Sequence, residues 1–149
     1  MNKFAPVDNL YDQDFYAWSN QQAVLLRAGK LSHADIENIA GEIESMGKSE
    51  KRELLGRLTV LLLHLLKWQF QPKMRSVSWE LTVDEQRIQL GIHLEDNPSL
   101  KHVLETTIGD AYRLAVIGAR RETGLPVSIF PVACPYSFQQ MADASFWPD

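Results

Sequence analysis

Apolar residues recur three, four and seven positions apart from Tyr11 to Gly118, the period of a helix face. Tyr11, Phe15, Trp18, Leu25 and Leu26 stack in this way. They predict a first helix from about Asp12 to Ala28, with Asp12 as its N-cap, Gly29 as its stop and the apolar face in the core. A second helix is expected after Ser32 and up to Gly47, with Ile36, Ile39, Ala40, Ile43 and Met46 as its stripe and an acidic outer side. Ser49 caps a third, which runs through Leu54, Leu58, Leu62, Leu65 and Leu66 to about Gln71, where Pro72 halts it. Leucine covers most of its circumference, which places it centrally among several neighbours.

The fourth helix, from Ser76 or Ser78 to about Glu95, has two apolar faces. Val77, Leu81, Ile88 and Ile92 gather on one side, and Trp79, Val83, Leu90 and Leu94 on nearly the opposite side. One face fits the core; the other fits the C-terminal tail or a second subunit. Asn97-Pro98 starts the fifth helix and Gly124, followed by Pro126, stops it. Its stripe of Leu100, Val103, Leu104, Thr107, Ala111, Leu114, Ala115 and Gly118 is rich in small residues toward the end, so a neighbour can approach closely.

From Leu125 the pattern changes: four of the seven prolines lie among Val127, Ile129, Phe130, Val132, Tyr136 and Phe138. Such a segment is too apolar to float and cannot be one helix, so it should lie extended on the bundle, with one short helix capped at Ser137. The expected fold is all-α, an antiparallel helical bundle of about five long helices plus a Pro-rich extended C-terminal tail with one short helix. It is read as a single domain over residues 1–149, with an arm at 1–10, the bundle at 12–124 and a docking tail at 125–149.

Composition narrows the function classes. Hydrophobic residues make up 45% of the 149 and charged residues 23%, the profile of an ordinary globular domain. A net charge of −4 argues against a protein that coats nucleic acid or an anionic membrane. The single cysteine, Cys134, permits no internal disulfide and fits a reducing cytoplasm. The first ten residues lack the basic start and apolar run of a signal peptide, and the most apolar run, Leu58 to Leu66, is too short to span a bilayer. No export and no membrane partner are expected.

The chemistry-bearing feature is a polar seam on the leucine-rich helix: Glu53, Arg57, His64, Lys67, Trp68 and Gln71 fall near one line, with Glu42 and Glu44 on the second helix as acidic neighbours. It reads as a solvated face with Glu53 and Arg57 paired at i,i+4, as a pocket in which His64 is a base or ligand held by Glu44 beside Trp68, or as an interface anchored by Trp68; a buried hydrogen bond from His64 to a second-helix glutamate would instead make it a joint between two helices. No metal or other cofactor is expected, because no Glu-x-x-His occurs and His33, His64, His93 and His102 are scattered. No catalytic residue is assigned: Cys134 has no histidine near it in sequence, and the glycines form no phosphate loop. Lys67, Lys73 and Arg75, with Trp68 and Phe70 between them and Arg87 downstream, give a weak basic and aromatic signal for nucleic acid.

Several blocks, in order, carry a resemblance: Tyr11-Asp-Gln-Asp-Phe-Tyr-Ala-Trp18, Glu42-Ile-Glu-Ser-Met-Gly47, His64-Leu-Leu-Lys-Trp-Gln-Phe-Gln-Pro72, Ser76-Val-Ser-Trp79, Glu122-Thr-Gly-Leu-Pro126 and Cys134-Pro-Tyr136. Together they resemble the bacterial domain of unknown function 29 family, common in cyanobacteria. The resemblance implies an all-helical intracellular bacterial protein and supplies no catalytic residues. The functional expectation is an interaction module that associates with itself or another protein rather than an enzyme. The alternatives are a small-molecule or enzymatic site around His64, Trp68 and Glu44, and weak nucleic-acid binding through Lys67, Lys73 and Arg75.

Overall fold

The structure, a computed structural model, describes residues 10–149, so residues 1–9 of the expected arm lie outside the described residues. Leu10 already opens a short helix, α1 (Leu10–Gln13). The first long helix, α2 (Phe15–Arg27), is capped by Asp14 rather than Asp12: the Asp14 carboxylate accepts from the Ala17 amide at 3.0 Å. Its end is the expected one. Gly29 takes φ +72°, and the Lys30 and Gly29 amides donate to Leu25 and Leu26, the paired bonds of a left-handed glycine cap.

The largest departure from expectation is that the second and third helices are one, α3 (Ile36–Phe70), 35 residues long. Gly47 was expected to end the earlier segment, yet its backbone is not left-handed, and no proline occurs between Ile36 and Phe70. An internal glycine costs about 1 kcal/mol against alanine. A break would strand several backbone donors and acceptors on each side. Continuing is the lesser cost.

The chain forms two compact units, the first ending at Lys48 and the second comprising Ser49–Asp149. In the first, Trp18 and Gln22 are buried, whereas Phe15, Leu26, Ile36, Ile43 and Met46 are exposed, so the apolar faces expected in the core there are largely uncovered. Tyr11, Phe15 and Trp18 instead cluster ring against ring, with centroids 4.7–5.7 Å apart.

The second unit is the bundle. After Phe70 come a 3₁₀ turn at Pro72–Met74, α4 (Val77–Asp96), a 3₁₀ segment at Pro98–Val103, α5 (Leu104–Thr123), a 3₁₀ turn at Val127–Ile129 and α6 (Phe138–Ala142). Ser76 caps α4 by accepting from the Trp79 amide, as expected. Contacts fix the directions. Glu50 meets His93, Arg57 meets Gln86 and Lys67 meets Trp79, so α3 and α4 are antiparallel. Lys67 meets Glu122 and Leu63 lies against Gly118, so α3 and α5 run the same way.

Leu54, Leu58, Leu61, Leu62, Leu65 and Leu66 have no exposed surface and occupy an arc of about 140° on α3 at ~100° per residue. They meet Val83, Leu90 and Leu94 of α4 and Ile108, Ala111, Ala115 and Ala119 of α5 in one core. The small residues of α5 do what their spacing suggested: a methyl placed on Gly118 would lie 2.2 Å from Leu63 Cδ1. Gly124 closes α5 with φ +73°.

The segment after α5 covers the remaining side of the core, contributing buried Phe130, Tyr136, Met141 and Pro148. Ser137 and Gln140 form the capping box of α6. Buried Arg87 holds this cover: its guanidinium donates to the carbonyls of Met141 (2.8 Å), Phe146 (2.7 Å) and Gln140 (3.3 Å) and stacks on Trp147. Among the described residues there is no strand, and no helix is long and apolar enough to cross a membrane.

Two outcomes follow from this packing. Leu62→Ala should lower unfolding free energy by ~2–5 kcal/mol in denaturant titration, the cost of a cavity in a closed core; a loss below about 1 kcal/mol would displace α3 from its central role. Arg87→Lys keeps the charge but not the fork. Amide exchange should accelerate over residues 138–147 more than within α5, and equal acceleration in both would deny Arg87 its local hold on the tail.

Candidate functional site

The expected seam breaks into separate pieces. Glu42 and Glu44 belong to the first unit, and because Ile36–Phe70 is one helix, Glu44 and His64 lie more than about five turns apart on a single element rather than at facing positions on two. Glu42 accepts a short hydrogen bond from the Tyr11 hydroxyl, which raises the tyrosine's pKa. Glu44 is exposed.

His64 finds its partner on its own helix: Nδ1 lies 2.8 Å from the Val60 carbonyl, which identifies Nδ1 as the protonated nitrogen. Burial is the main influence on the ring and lowers its pKa; the Val60 carbonyl opposes this, Lys67 lowers it further and Glu122 raises it. The ring is thus bonded within its own helix, and not to a glutamate of a second element as a joint between two helices would require.

Lys67 is 7% exposed, with Nζ 2.6 Å from Glu122 and 4.4 Å above the Trp79 ring. Its charge is matched by a carboxylate and an aromatic face. Trp68 is covered by Trp147, ring centroids 4.4 Å apart, and by the Arg75 guanidinium at 4.9 Å. Arg75 also donates to the carbonyls of Trp68 and Pro148. Of the basic residues expected to attract nucleic acid, Lys67 and Arg87 are buried and Arg75 is bound to backbone, leaving Lys73 exposed.

Cys134 is equally quiet: burial pushes the thiol pKa up, and Sγ points at the Tyr136 carbonyl. Buried Tyr112 donates to the Pro131 carbonyl at 2.6 Å, and burial raises its pKa to about 12.

Glu53 and Arg57 pair as expected at 2.9 Å, and the pair holds the Glu53 carboxyl below its usual range. Sequence reasoning missed what stands opposite. His93 of α4 is 6% exposed, and its Nε2 lies 2.9 Å from the Glu50 backbone carbonyl. Its Nδ1 faces the carboxylates of Glu53 at 3.4 Å and Glu50 at 3.6 Å. These three side chains, with Gln89, Ile92, Asp96 and Asn97, line a recess of about 350 Å³. The available signal was Glu-x-x-Glu on one helix facing a histidine on its antiparallel neighbour, a pattern that needs the interhelical register to be seen.

The first unit holds a second recess, about 540 Å³, lined by Gln22, His33, Asp35 and Asn38 among others. Asp35 is its centre, accepting from Trp18 Nε1 at 3.0 Å and Asn38 Nδ2 at 2.8 Å while its amide donates to Gln22. The Asn38 bond lowers the Asp35 pKa most. With these partners, Asp35 knits α2 to the start of α3.

The model of the family Domain of unknown function DUF29 matches residues 10–147, and the chain belongs to that family. No curated protein and no solved structure matches it.

The state of His64 is testable by pH. Its folded pKa is depressed below 6.5, so the neutral ring contributes stability that is fully present above that value and is lost as pH falls through the lower folded pKa. Side-chain NMR should show His64 titrating below 6.5, and His64→Gln should flatten the loss of stability on that acid side. A ring titrating at or above 6.5 would remove burial as the dominant influence on His64.

Proposed function

We propose that this DUF29 member is a cytoplasmic helical interaction module whose second unit associates with further copies of itself. The two-faced α4 carries the reading. Val83, Leu90 and Leu94 are buried, whereas Val77, Leu81, Ile88 and Ile92 are 69%, 60%, 65% and 52% exposed and lie within about 60° of one another around the helix. A continuous row of large aliphatic side chains is a mark of association.

Charge selects the occupant. Every acid on α4 (Glu80, Asp84, Glu85, Glu95 and Asp96) borders water or the stripe, and the one Lys or Arg of the helix, Arg87, is buried against the tail. A complementary surface is apolar with basic edges. The outer face of α5 has that character: Arg113, Ile117 and Arg120 fall along one line and, with Tyr112, Val127, Phe130 and Val132, line an open cleft of about 460 Å³. Ile117, Val127 and Val132 are well exposed. The stripe of one copy fits the cleft of the next, a heterologous arrangement that closes into a ring or extends as a chain.

Light scattering over a concentration series should show species larger than a monomer. Leu81→Glu with Ile88→Glu, or Arg113→Glu with Arg120→Glu, should each shift the protein to monomer. Mixing the two variants should restore a dimer and nothing larger, since each retains one intact face. A wild-type chain that stays monomeric at high concentration would sink the proposal, and an α5 variant that associates normally would exclude this geometry.

A further inference from the structure

We propose that Glu50, Glu53 and His93 form a binding site for a divalent transition ion of the zinc type. Their ligand atoms lie within 4.8 Å of one another, and all three open onto the same solvent-connected recess. Carboxylates alone would not make a site; the histidine does. Its ring is more than nine-tenths buried, and its Nε2–H is committed to the Glu50 carbonyl, so Nδ1 is the nitrogen left to face the carboxylates. At 3.4 and 3.6 Å, with no hydrogen bond formed, those oxygens are too far for a charged N–H···O contact, normally about 2.7–2.9 Å.

These separations suit ligands sharing a metal. Bonds of about 2.0–2.1 Å in a tetrahedron put neighbouring ligand atoms about 3.3 Å apart. The Nε2–H to backbone carbonyl bond is the usual outer partner of a metal-bound imidazole, fixing both tautomer and ring plane. Arg57, donating to the Glu53 oxygen at 2.9 Å, orients that carboxylate in the same way. One nitrogen and two carboxylates favour zinc-like ions over calcium, which demands six to eight oxygens. The three protein ligands leave a fourth position toward the recess, where Asp96 stands.

The test uses the full chain without a histidine tag. Isothermal titration with Zn²⁺ should give one bound ion per chain, Co²⁺ should give a visible tetrahedral spectrum, and Mg²⁺ should not compete. Glu50→Gln and Glu53→Gln should each weaken Zn²⁺ binding ~10-fold or more. His93→Gln, which keeps a donor for the Glu50 carbonyl, should abolish the cobalt spectrum. Absence of stoichiometric Zn²⁺ binding would overturn the proposal. So would undiminished binding in both glutamate variants, since that places the ion at other histidines. If His93→Gln does not fold, the two exposed glutamate substitutions decide alone. Association is not a readout in these experiments, so failure here leaves the proposed self-association standing.

Discussion

The second unit depends on one constraint: an arc of leucine on α3 too wide for a single neighbour to cover. Two helices packed side by side seal a stripe of about 100°. Leu54 through Leu66 present more, and Leu55, Leu63 and Phe70 extend the apolar surface further around. Covering it takes α4 on one side, α5 on another and an irregular segment on the third. The C-terminal stretch is therefore a wall of the core, although its prolines exclude it from forming a long helix.

A cover built from three kinds of element traps polar groups, and each is satisfied differently. Arg87 sits where an irregular segment leaves backbone carbonyls without helical partners, and its fork gathers four of them. Lys67 reaches past the leucines to Glu122. His64 turns back to its own helix. Each of these groups finds its partner within the bundle. His93 differs: one nitrogen is satisfied and the other faces two acids without a bond. That nitrogen and the two carboxylates are the atoms proposed to share a cation.

Legibility followed the range of the interactions. Ser76, Gly29, Gly124 and the Ser137–Gln140 box act within one turn, and the local pattern announced them. The leucine arc was equally plain, because helical period alone defines it. Gly47 misled because glycine weakens a helix whether or not it ends one, and the decision rests on whether a left-handed residue follows. The stripe of Ile36, Ile43 and Met46 misled differently: periodicity shows that a face is apolar, not that something lies on it. The role of Arg87 and the meeting of His93 with Glu50 and Glu53 depend on register between distant segments, which no local spacing encodes. Arg87 looked like one more cation beside Trp68, when its partners are carbonyls more than fifty residues away.

The outer stripe of α4 and the acid–histidine recess share a residue. Ile92 is the last apolar position of the stripe and also lines the recess beside His93 and Asp96. A partner seated along the whole stripe would cover Ile92 and withdraw the open side of the recess from water, strengthening every charge interaction within it. An ion bound there would in turn neutralise the acids at that end of α4 and change what the stripe presents to a partner. Binding free energies are reciprocal, so whatever ion loading does to association, association does to ion affinity. The bundle itself requires neither feature, since its core is complete on the opposite face of α4. Two features that folding leaves unexplained thus converge on one end of one helix.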